Sequence, residues 1–87
     1  MLLRVVAIRD AKTEVYSHPL FFVTKGVAIR SFFDETERTG SEISKHPEDF
    51  ALFDLGVYDD NLGAFVGNTQ PIMMCSAMDA IKRDVGA

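Results

Sequence analysis

An α+β fold is predicted by three features of the chain. Residues 2–9 form a β-branched, nearly uninterrupted apolar run, residues 25–38 have helical spacing, and residues 50–58 alternate before ending in a tight turn. Together they describe a small antiparallel sheet of about four or five strands, with one main helix at residues 25–38 packed on one face. The 87 residues make a single domain, 1–87, because so short a chain cannot hold two cores. A 47% hydrophobic content supplies a core. A chain of this size buries only about 60–65% of its unfolded surface, so assembly into a homo-oligomer would relieve a thin interior.

The first strand carries charges only at Arg4 and Arg9 and reads as buried. Residues 10–13 have turn character. A strand-like run then resumes, but Pro19 cannot donate to a ladder, which places the second strand at residues 20–23 with 14–18 as an extended lead-in. Thr24 suits an N-cap. Beyond it Val27, Ala28, Ile29, Phe32 and Phe33 cover one apolar arc, with Arg30, Asp34, Glu37 and Arg38 largely outside it. Gly40 is a natural stop, and Pro47 limits any helix in the polar segment 41–49. In residues 50–58 strict alternation puts Ala51, Phe53, Leu55 and Val57 on one face and Phe50, Leu52, Asp54, Gly56 and Tyr58 on the other. Residues 59–63 then form a tight turn in which Gly63 supplies positive φ. A short return strand at 64–66, another at 72–75, and a helical turn or two capped by Ser76 complete the chain.

The net charge of −4 argues against a general polyanion binder. Its distribution is uneven. Arg4, Arg9, Lys12, Lys25 and Arg30 face only Asp10 and Glu14 in the first thirty residues, a net of +3, while residues 31–62 hold nine acids against Arg38 and Lys45, a net of −7. The single cysteine excludes an internal disulfide and fits a reducing compartment. No apolar run approaches the roughly 20 residues that span a bilayer, so no membrane partner is expected.

No catalytic constellation emerges, and an enzyme is not expected. Cys75 sits in an apolar run and reads as a buried thiol. His18 and His46 each precede a proline and lack partners at ligand spacing, so neither a metal nor a cofactor is expected. Asp59, Asp60 and Asn61 lack the acidic spacing of a calcium loop and read as the turn itself. What stands out is the basic segment. Arg9, Lys12, Lys25 and Arg30 would form one nucleic-acid-binding patch if the first loop lies beside the helix start, with Tyr16, Phe21 and Phe22 available as stacking surfaces for bases. The alternative is that the neighbouring phenylalanines are core and the cations only solubilise.

The same residues carry a family resemblance. IRDAK at 8–12, PLFF at 19–22, KGVAIRSF at 25–32, KHPEDF at 45–50 and LFDLG at 52–56 together resemble the small nonstructural protein of gokushovirus-type microviruses, over residues 4–63. These are phages with single-stranded DNA genomes. The resemblance implies a DNA-binding protein likened to the microviral C protein, which turns replication from duplex synthesis toward single-stranded genomes and their packaging. It also implies action in the host cytoplasm. The function expected is a non-enzymatic phage protein that binds single-stranded DNA during replication or packaging, alongside viral replication or procapsid proteins and as a possible homodimer. The alternative is a protein-only adaptor that uses its acidic segment to bind the replication initiator, the procapsid or a host factor.

Overall fold

A computed structural model describes residues 1–85. It contains β1 (Leu2–Asp10), β2 (Val15–Tyr16), β3 (Leu20–Phe22), α1 (Lys25–Glu37), α2 (Glu42–Lys45), β4 (Phe50–Asp59), β5 (Ala64–Ser76) and α3 (Ala77–Val85), with a 3-10 turn at Pro47–Asp49 before β4. All pairings are antiparallel, in the order β2-β1-β4-β5, and β3 shares the outer edge of β1 with β2. The predicted α+β class is what the chain adopts.

One face of the sheet carries the helices. Val6 and Leu52 are almost fully enclosed beneath Ala28 and Phe32 of α1, with Ile43, Cys75 and Ala77 completing the core. The helix starts where the sequence predicts because the Thr24 hydroxyl accepts from the Val27 N–H at 3.2 Å. Replacing Thr24 with alanine frees that donor and should cost about 1 kcal/mol. Thermal denaturation would read this as a midpoint roughly 4–8 °C lower. At the far end the helix stops at Glu37, one residue inside the predicted limit, with Arg38 as the C-cap.

Three local features depart from the sequence reading. The polar segment near Pro47, where the sequence limits helix without placing one, holds two short pieces: Ser41 caps a single turn by accepting from Ser44 N–H at 3.0 Å, and Pro47 opens the 3-10 turn, where its missing donor is not needed. The two short C-terminal strands are one, β5, whose ladder to β4 runs through Ala64–Gly67 and resumes at Ile72 after residues 68–71 loop out of register. The third is a bulge in β4. Val5 faces Gly56 while Val6 faces Asp54, so Leu55 is an extra residue. The bulge inverts the alternation: Gly56 and Tyr58 share a face with Ala51 and Phe53, not with Leu52 and Asp54.

Gly56 makes this bulge possible. Its φ is +135°, and a Cβ there would collide with the Val66 carbonyl oxygen. Asp54 holds the other side. Its carboxylate is enclosed on the helix side and accepts from the Gly56 N–H at 3.0 Å and from Arg4 at 2.9 Å.

Candidate functional site

The sheet face opposite the helices carries the aromatic residues. Alternation along β1 sends Leu3, Val5, Ala7 and Arg9 to this side, and the register brings Phe21, Tyr16, Phe53 and Tyr58 onto it from the neighbouring strands. The hairpin at residues 59–63 sets Phe65 directly opposite Tyr58, with Gly63 at φ 64° closing the turn. The rings touch in two groups. Tyr16 meets Phe53 edge-on at 5.4 Å between centroids. Phe21, Tyr58 and Phe65 form the second group, with separations of 5.8 Å, 6.1 Å and 4.7 Å. Val5 and Ala7 are buried beneath and between them.

These rings are not a second core. Phe21 is 43% exposed and Phe65 64%, and no helix of the described chain covers this side. The arrangement offers flat π-faces and edges to solvent on a rigid, hydrogen-bonded platform. Such a surface can stack planar groups whatever their hydrogen-bonding pattern. Arg9 adds the one cation that the register places here, its guanidinium 5.8 Å from the Tyr16 ring centroid.

Of the residues that the sequence singles out, the structure unites Arg9 and Tyr16, which face each other across β1 and β2. Lys12 lies in the turn beyond β1, its N–H held by Asp10 at 2.9 Å. It borders an open groove of about 660 Å³ that is largely acidic, with Asp10, Glu42, Glu48 and Asp49 among its walls. Lys25 belongs to the helix layer, its ammonium 3.5 Å from Asp54. Arg30 is exposed on α1, in the same layer. The five do not make a single patch, because the helix that bears Lys25 and Arg30 packs on the side of the sheet away from Tyr16. Phe53, Tyr58 and Phe65 were not singled out. A hairpin register counted outward from the turn pairs Tyr58 with Phe65 and would have found those two.

Other chemistry is sparse. Burial, with Asp79 nearby, pushes the Cys75 thiol up to about 11, so it stays protonated and unreactive at neutral pH. His46, Glu48 and Asp49 bring one ligand atom each within 4.8 Å of one another on the turn before β4, two of the three being exposed. A cavity of about 400 Å³ opens between β3, α1 and α2, walled mainly by Ile8, Leu20, Phe22, Phe32 and Ile43. Among the described residues no helix is long and apolar enough to cross a membrane.

Comparison with protein families finds one that covers most of the chain: the model of the family described as Phage ORF5 protein matches residues 3–80. The match spans every strand but for Leu2 of β1, and the first two helices. Comparison with curated proteins and with solved structures finds no match.

Proposed function

The chain belongs to the Phage ORF5 protein family, and from that premise we propose that this phage protein binds single-stranded DNA on its aromatic sheet face. The observation that carries the reading is the set of rings Tyr16, Phe21, Phe53, Tyr58 and Phe65 on one side of a rigid sheet, Phe21 and Phe65 exposed and the other three half-buried, with Arg9 among them. Duplex DNA hides its base faces, whereas a single strand exposes them for stacking. The resemblance to the small nonstructural protein of gokushovirus-type microviruses supports a single-stranded genome as the ligand. In that setting the protein acts without catalysis, in the host cytoplasm, during genome replication or the turn to packaging.

The acidic total dictates how such binding must work. With Arg9 on the face and Lys12 in the turn beyond β1, few phosphates are neutralised, and stacking has to carry the affinity. Each phosphate contact on a single strand contributes a slope near −0.7 in log affinity against log salt. Two contacts therefore give about −1.4. Removing a stacking ring costs about 1–3 kcal/mol. Phe65→Ala and Phe21→Ala should thus each weaken binding of a fluorescent oligothymidine by roughly tenfold or more, while reversing the charge of Arg30 changes it little. Fluorescence anisotropy at low salt tests this. No binding by the unmodified protein, or full binding by both phenylalanine variants, sinks the reading.

A second reading is favoured by the acidic groove beside the turn before β4. Its charge suits a basic protein segment and makes the chain an adaptor for the replication initiator, the procapsid or a host factor. Nuclease treatment of complexes captured from infected cells separates the two readings, since it releases DNA-bridged partners and leaves directly bound ones.

A further inference from the structure

The outer edge of β5 is open, and the strand is unusual in this chain. No residue from 61 to 78 is charged, although a quarter of all residues are. Edge strands are normally protected by charges, prolines or bulges, and on β5 only Pro71 and the irregular residues 68–71 and Met74 serve that end. β5 instead exposes Val66 and Ile72 on the helix side and Phe65 and Met73 on the aromatic side, with Leu62 at the turn. The helix layer stops short of this region. α1 begins at Lys25 beside Asp54, and its body packs over Val6 and Leu52, so Leu2 and Val66 lie beyond it and remain exposed.

We propose that β5 pairs antiparallel with β5 of a second copy, forming a two-fold dimer. The interruption in the strand selects the partner. Residues 68–71 leave the ladder and Pro71 has no N–H to donate, which splits the edge into two segments, 64–67 and 72–75, the second with one extra residue at Met74. An unrelated strand would have to bridge that gap. A two-fold copy presents the same gap at the same place, so its residues 72–75 lie opposite 64–67 twice over, with the two bulges meeting at the axis.

The scale also fits. A stable pair buries about 800 Å² per partner, a seventh of the 5602 Å² surface of this chain. Five exposed apolar side chains, Leu62, Phe65, Val66, Ile72 and Met73, stand along this edge beside the open backbone. Antiparallel pairing about an axis normal to the sheet keeps both aromatic faces on one side. If the DNA reading holds, the dimer presents one continuous platform, with Phe65 of each copy near the seam.

Sedimentation of the DNA-free protein tests the pairing, and its outcome does not depend on the DNA reading. The expected mass is twice the 9.7 kDa of one chain. The double variant Val66→Lys, Ile72→Lys, placed at exposed positions and checked for fold by circular dichroism, should fall to the single-chain mass. Amide exchange on the unmodified protein provides a readout without mutation: outward-facing amides of residues 64–67 and 72–75 should gain protection as concentration rises. A single-chain mass at high micromolar concentration, a variant that stays paired, or protection that ignores concentration overturns the proposal.

Discussion

Replacing Gly56 with alanine is expected to remove a large part of the stability of this fold. The residue sits at φ +135°, a region that side-chain-bearing residues rarely adopt, and holding one there costs about 1–3 kcal/mol. The added methyl would also collide with the Val66 carbonyl oxygen and come within 2.9 Å of the Gly67 Cα. Both neighbours are backbone, so relief requires β5 to shift away from β4 and break the ladder between Gly56 and Gly67. Overpacking of this kind adds about 1–3 kcal/mol. The combined cost, near 4 kcal/mol, compares with a total of about 4–13 kcal/mol expected for a domain of this length. A thermal melt should show a midpoint lower by roughly 20 °C, or no cooperative transition. Gly63→Asn is the contrasting substitution. That position has φ 64°, which asparagine adopts readily, and open space around the missing side chain. A Gly56→Ala protein that melts within a few degrees of the unmodified one would contradict the account of the bulge.

That bulge also marks the limit of what could be read from the residues. β1, the main helix and the turn at residues 59–63 were legible because each is encoded locally, by a β-branched run, an apolar arc with a capping threonine, and an Asp-rich turn closed by glycine. The faces of β4 were not. Alternation assumes an unbroken ladder, and one extra residue at Leu55 sends Tyr58 to the side opposite the one predicted. Sequence proximity misled in a similar way. Lys25 and Tyr16 are nine residues apart, yet the chain crosses from β3 to the helix layer between them, so the two cations of α1 end on the far side of the sheet from Tyr16. The aromatic face is built from all five strands. Only its β1–β2 corner, Arg9 with Tyr16, was visible in a single stretch of chain.

Asp54 is the residue whose ionisation this arrangement depends on, and acid should expose that dependence. Burial alone would raise its carboxyl above the ordinary value of 3.8. The Gly56 N–H, the Arg4 guanidinium and the nearby Lys25 ammonium outweigh that effect and bring it below 3.8. The ionised form is therefore the one that folding favours. Its stabilisation is complete above the unfolded value of 3.8 and is lost as pH falls through the lower folded value. Lys25 is largely exposed, so its ion pair adds little. The Arg4 pair matters more, with side chains 28% and 6% exposed. Removing one partner of a buried pair strands the other, and Asp54→Asn should cost roughly 3 kcal/mol at pH 7. Urea unfolding of both proteins from pH 7 down to pH 2 measures the difference. The gap should be constant near neutrality and close progressively below pH 3.8, because protonated Asp54 no longer holds Arg4 as a carboxylate does. A gap that stays constant to the lowest pH would mean the charge is idle. Asp54 also accepts from the Gly56 N–H, which fixes the bulge that turns Tyr58 toward the aromatic face. The same acid range should therefore loosen the ring group of Phe21, Tyr58 and Phe65 before the helix side of the core yields, visible as a change in tyrosine fluorescence that precedes the loss of helical signal.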